Sequence, residues 1–119
     1  MAKQIQCVDC ALHYEVLMVK TQCGPGLEID RCQRCGGIWL DRDEMGRIAE
    51  LGSFYIQYLD QPGEAEPEKN PDRKCPHCRK ELVMQKEEKL GGVELDHCPK
   101  CGGVWCDHGE LKAINAAME

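Results

Sequence analysis

Eight of the ten cysteines in this 119-residue chain fall into four C-x-x-C pairs, and the pairs belong to two copies of one larger pattern. Cys7 and Cys10 recur 68 residues later as Cys75 and Cys78; Cys32 and Cys35 recur 66 residues later as Cys98 and Cys101. The shift of 66 also carries Gly36-Gly37 onto Gly102-Gly103, Trp39 onto Trp105, Asp41 onto Asp107, Glu44 onto Glu110 and Ile48 onto Ile114. GLEID at 26–30 answers GVELD at 92–96, and the two-residue difference falls in a longer loop at 22–25 of the first copy. Such a repeat means one small unit built twice.

A unit this short needs something besides apolar burial, because modules much below about 60 residues rarely stay folded without a staple. Residues 1–6, MAKQIQ, lead into no apolar stretch, and no run approaches the roughly 20 apolar residues of a membrane span. A soluble protein in the reducing cytoplasm is therefore expected, where clustered thiols serve as metal ligands more often than as disulfides. Zinc asks for four soft donors at the corners of a tetrahedron. Two residues between cysteines let one tight turn aim both sulfurs at one point, and a second such turn completes the set. The expected ligands are Cys7, Cys10, Cys32 and Cys35 for one Zn2+, and Cys75, Cys78, Cys98 and Cys101 for a second. Iron would accept the same thiolates, and a red colour would distinguish it. Cys23 has no counterpart and Cys106 aligns with Leu40, so both are read as spare thiols, with Cys106 and His108 near enough to stand in for a lost ligand of the second site. His13, His77 and His97 are read as solvated polar residues.

Between the copies runs DQPGEAEPEKNPDR (60–73), with three prolines, five acidic residues and no large apolar one. Such a segment reads as an extended or mobile linker, giving a first unit at 1–59 and a second at 74–119. Each C-x-x-C is a turn at a hairpin tip; 14–20 and 82–87 read as strands, and 27–29 and 93–95 alternate as half-exposed strands do. A further short strand carries each tryptophan, whose ring is expected to lie across the hairpin on the bare backbone of the neighbouring glycines. Asp41-x-x-Glu44 and Asp107-x-x-Glu110 have capping-box spacing and open a helix in each copy. Met45, Ile48, Tyr55 and Leu59, and Leu111, Ile114 and Met118, form its apolar stripe, with a break in the first helix at Gly52-Ser53. The fold class is a small metal-stabilised α+β protein: two tandem zinc ribbons, each a short three-stranded antiparallel sheet with two zinc knuckles followed by an α-helix.

Formal net charge is −6; eight bound thiolates and two Zn2+ carry it to about −10. That sign disfavours non-specific gripping of phosphate backbones. Arg31, Arg34, Arg42 and Arg47 surround the second knuckle of the first copy, but Asp30, Asp41, Asp43 and Glu44 are interspersed, which makes a mixed solvated surface. Phe54, Tyr55 and Tyr58 are half of the six aromatics. They would dock on the chain's own ribbon or on a protein partner, including a second copy of this chain.

The string C-P-x-C…C-P-x-C-G-G-V-W-x-D-x-x-E-L at 75–111 resembles the transcription-factor-IIB-type zinc ribbon family, and the first copy matches more loosely, with Val8 and Gln33 for the prolines and Met45 for the leucine. The resemblance implies the zinc ribbon fold and zinc on the eight cysteines named. With four thiolates on each ion, no coordination position is open for substrate, and no catalytic residue is expected. The expected role is a protein-interaction or adaptor module linked to transcription. The alternative is a nucleic-acid-binding ribbon using the arginines near Cys32 and Cys35. A third idea, zinc buffering or thiol sensing, would use Cys23 and Cys106.

Overall fold

A computed structural model describes residues 4–24, 26–51, 59, 62–65 and 68–118. They form strands β1 (Val19–Gly24), β2 (Leu27–Arg31), β3 (Ile38–Leu40), β4 (Val83–Glu87), β5 (Val93–His97) and β6 (Val104–Cys106), and helices α1 (Arg42–Leu51) and α2 (His108–Ala117). Each copy contributes three strands, yet these do not make two separate sheets. They join in one six-stranded antiparallel sheet ordered β1-β2-β3-β6-β5-β4.

The join is symmetric. β3 pairs β6 with Ile38 opposite Cys106, Trp39 opposite Trp105 and Leu40 opposite Val104. Trp39 thus sits across from its own repeat counterpart, and a pseudo-two-fold axis runs between them. A three-stranded unit leaves a bare edge on its third strand, which would otherwise pair indiscriminately. Two identical edges can cover each other only in such a self-matching register.

Side chains alternate across the strands, so the sheet separates two cores. On one face Ile38, Leu40, Val104 and Cys106 join Leu27, Ile29 and Leu95 under Met45 and Ile48 of α1 and Leu111 and Ile114 of α2. Leu59 and Leu90 belong to the same core. On the other face Trp39 and Trp105, both fully buried, lie among the paired cysteines with Ile5, Val8 and Met18. The protein is therefore layered as helices, sheet and knuckles.

Three local features differ from the sequence expectation. The expected strand at 14–20 begins only at Val19; Leu17 instead bridges to Gln6 as part of the first knuckle. β1 runs on to Gly24, absorbing the longer loop through an irregularity between Gln22 and Gly24. His97 is not solvated: Nε2 meets a Glu87 carboxylate oxygen at 3.1 Å and Nδ1 meets the Leu95 carbonyl at 2.9 Å. The capping box of α2 is complete, with Glu110 N–H donating to Asp107 Oδ1 at 2.7 Å and Asp107 N–H to Glu110 Oε1 at 3.0 Å. In α1 the Asp41 N–H donates to Glu44 Oε1 at 2.9 Å, while Asp41 Oδ1 accepts the Trp39 indole N–H at 3.0 Å. Gly52, Phe54, Tyr55 and Tyr58 lie outside the described residues.

Among its described residues the acidic stretch between the copies is attached at several points. Glu64 N–H donates to the Gln33 carbonyl at 3.0 Å and Ala65 N–H to the Arg34 carbonyl at 2.8 Å. Asn70 donates from its backbone to Asp9 Oδ1 and from its side chain to the Val8 carbonyl, both at 3.1 Å. Composition argued against apolar burial here; these attachments use backbone amides and polar side chains.

Candidate metal centres

The fold delivers two knuckles of each copy to one point. Cys7, Cys10, Cys32 and Cys35 bring their sulfurs within 4.8 Å of one another, as do Cys75, Cys78, Cys98 and Cys101. Sulfur–sulfur separations of 3.6 Å (Cys7–Cys35), 3.7 Å (Cys10–Cys32) and 3.8 Å (Cys75–Cys101) match the edge of a tetrahedron with zinc–sulfur bonds of about 2.3 Å, an edge of about 3.8 Å. The donor set fits Zn2+, and the chain carries two.

Each knuckle is also wired for charge. The N–H of Cys10 points at Cys7 Sγ (3.4 Å), that of Cys35 at Cys32 Sγ (3.5 Å), that of Cys78 at Cys75 Sγ (3.3 Å) and that of Cys101 at Cys98 Sγ (3.4 Å). Gly36 and Gly102 hold φ of 80° and 77°, which a Cβ would oppose, and so close the second knuckle of each copy. At the matching place in the third knuckle Arg79 takes φ 64°. Hydrogen bonds from Cys35 and Cys7 pull Cys32 down to about 2, and against burial the backbone N–H groups of the knuckle help bring Cys98 down to about 7, so one thiol of each centre ionises readily while its neighbours resist. Hydrogen bonding with Cys32 leads in pushing Cys35 up to about 12; the same contact, that with Cys35 and burial drive Cys7 further upward, and burial raises Cys75. A divalent cation is what allows all four to be thiolates together.

The two tryptophans cross the pseudo-dyad. A Cβ added at Gly37 would stand 2.5 Å from the Trp105 ring, and one at Gly103 would run into the Trp39 ring. The rings do lie on bare glycine backbone, but on that of the other copy. The first knuckles cross over as well. Asp9, beside Cys10, accepts the Trp105 indole N–H at 3.3 Å, and His77, beside Cys78, sits 3.4 Å from Asp41 and 6.2 Å from the Trp39 ring centroid.

Next to each centre lies an acidic group held mainly by one cation, with the exposed Lys69 Nζ a further 3.8 Å partner of Asp107 in the second. In the second copy Arg73 Nε and Nη2 donate to Asp9 at 2.7 and 2.8 Å, Nη2 to Asp107 at 2.9 Å and Nη1 to Asp96, with Glu110 4.0 Å away. In the first copy Asp30, Asp41 and Glu44 gather, and Lys20 Nζ meets Asp30 at 3.0 Å. Asp30 and Asp96 correspond, but their cations do not: the 68-residue shift pairs Arg73 with Ile5, and Met84 lies opposite Asp96 where Lys20 lies opposite Asp30. Burial pushes Glu44 and Glu110 each up to about 7.

The remaining sequence candidates fall outside the clusters. Cys106 is fully buried on the helix face of the sheet, so it stands on the wrong side to replace a ligand of the second centre. The side chain of Cys23 is outside the described residues. The arginines are turned to internal partners: Arg34 donates to Cys10 Sγ at 3.7 Å with its guanidinium 4.1 Å over the Tyr14 ring, Arg31 reaches the Pro62 carbonyl at 3.5 Å, Arg47 donates to the Gly26 carbonyl at 3.1 Å, and Arg42 packs on Gly102. Sequence reading missed Asp9, Asn70 and Arg73, since none recurs in the other copy and repeat comparison was the available signal.

Residues 15–51 and 74–117 match the model of the family described as transcription factor zinc-finger. The first match begins after Cys7 and Cys10, so it is the geometry that brings that knuckle to Cys32 and Cys35. No curated protein and no solved structure matches the chain.

Proposed function

Because the chain belongs to the transcription factor zinc-finger family, we propose that it is a non-enzymatic adaptor whose two structural zinc ribbons, each with two knuckles, three strands and a helix, present a docking surface to a protein partner of the transcription apparatus in the cytoplasm. Four thiolates fill each zinc ion, leaving it no position for substrate or water. The observation that carries the docking role is the exposure of Leu12, Tyr14 and Leu17 on and after the first knuckle, while the neighbouring Arg31 and Arg34 bond to groups of the same chain. Clustered exposed apolar residues on a small protein favour protein contact. Among the described residues no helix is long and apolar enough to cross a membrane.

A second reading, nucleic-acid binding, is favoured by one feature: Lys74 and Arg79 line an open cleft of about 320 Å³ between Cys7 and Cys75. A gel-shift assay with single- and double-stranded oligonucleotides at low and high salt separates the two. The adaptor reading expects weak binding; tight binding with a steep salt slope overturns it. Conversely, Leu17→Ser with Tyr14→Ser should abolish capture of the protein partner with both zinc ions retained.

A further inference from the structure

The two metal centres have the same ligands but unequal surroundings. In the first, the cysteines are 1%, 5%, 0% and 2% exposed in chain order. In the second, Cys75 and Cys98 are buried, whereas Cys78 and Cys101 are partly open to solvent. Two features lie against the first centre. One is Arg34, held over Tyr14 and donating to Cys10 Sγ; its counterpart in the second copy, Lys100, is exposed. The other is the segment 62–65, strapped over the knuckle between Cys32 and Cys35 by two backbone hydrogen bonds to Gln33 and Arg34. The strap lies so close that a Cβ on Gly63 would collide with the Arg34 carbonyl and stand 2.6 Å from Gly36 N. Glycine is required there by approach, not by φ.

We propose that the second centre is the reactive one: Cys78 and Cys101 are the sites at which soft electrophiles attack and through which zinc is exchanged, while the strap centred on Gly63 seals the first centre as an inert anchor. Attack requires a zinc-bound sulfur lone pair to reach the reagent. With iodoacetamide, the Cys78 or Cys101 sulfur forms a bond to the methylene carbon and iodide leaves with the carbon–iodine electron pair. The resulting neutral thioether is a poor zinc ligand, the ion is left with three thiolates, and an external chelator removes it. At the first centre the same attack needs the strap to open first, and such local opening slows the reaction. This places thiol reactivity on ligands, rather than on the spare thiol Cys106, which is fully buried.

The test uses the full two-zinc protein with iodoacetamide and a chromogenic zinc chelator, with the modified cysteines read by peptide mass spectrometry. One equivalent of zinc should leave in a fast phase, with carbamidomethyl groups on Cys78 and Cys101, and the second should leave more slowly by on the order of tenfold or more. Labelling of Cys23 releases no zinc and does not enter the comparison. Release of both ions in one phase, or early labelling of the first cluster, overturns the proposal. Gly63→Val should speed the slow phase and leave the fast phase unchanged; an unaltered slow phase overturns the role of the strap. If circular dichroism shows that variant unfolded, Gly63→Ala and the wild-type labelling order decide the matter.

Discussion

Arg73→Met removes the one guanidinium that three buried carboxylates share while keeping a side chain of similar length. Asp9, Asp96 and Asp107 are 1%, 7% and 3% exposed, and Arg73 reaches all of them. Deleting one member of a buried ion network typically costs about 3–5 kcal/mol, because the partner charges are left uncompensated. Against a total stability of about 5–15 kcal/mol for a small domain, that is a large share. The upper half of the range is expected, since more than one acid loses its partner and Asp107 also caps α2. Lys20→Met in the first copy should cost less, because Lys20 is 32% exposed and solvent screens the pair. The assay is urea unfolding with free zinc buffered at one concentration, since ligand binding adds to apparent stability. Adding Asp9→Asn to Arg73→Met should restore at least about 1 kcal/mol, a coupling expected of groups in direct contact. A loss below about 1 kcal/mol for Arg73→Met, or strict additivity in the double variant, would refute the idea that this network holds the first knuckle of one copy to the second copy.

Gly37→Ala and Gly103→Ala each force a methyl into a tryptophan of the opposite copy, and each should cost about 1–3 kcal/mol as overpacking does; calorimetric Tm in excess zinc checks this, and unchanged values would remove the crossed-ring packing. Chelation of both ions should abolish native circular dichroism, because structural zinc supplies on the order of 10–16 kcal/mol per site; native spectra in metal-free protein would contradict it. Glu44 and Glu110, raised to about 7 from 4.5, hold protons in the folded state that the unfolded chain has released. They therefore lower stability progressively as pH rises from 4.5 through 7. Glu44→Gln with Glu110→Gln, which keeps an acceptor for each cap, should gain stability over wild type as pH climbs from 5 to 8, and the zinc–thiolate dependence on pH cancels in the difference. A constant difference across that range would show both carboxylates ionised throughout.

The eight ligands were legible because chelation fixes residue type and spacing together, and duplication showed the pattern twice. The strands bearing Trp39 and Trp105 and the starts of both helices were legible for similar reasons, from local alternation and cap spacing. The merger of the copies was not. Nothing in Ile38–Leu40 or Val104–Cys106 announces which edge each covers, since three residues of backbone pairing carry almost no side-chain code. Arg73 was hidden for a different reason. It sits in a stretch whose prolines and acids describe a solvated chain, and its partners are 64, 23 and 34 residues away. The glycines were half legible: a ring beside bare backbone was foreseen, but the ring belongs to the other copy, a fact that only the pseudo-dyad supplies.

Native mass spectrometry of the intact chain reports metal content and compactness in one spectrum, through mass and charge-state distribution. A compact, low-charge species should appear only with two zinc ions attached, and stripping the metal should move the chain into the broad, highly charged distribution of an unfolded polypeptide. A compact, low-charge species carrying no metal would contradict the claim that zinc–thiolate bonds, more than the apolar cores on either side of the sheet, give this chain its shape.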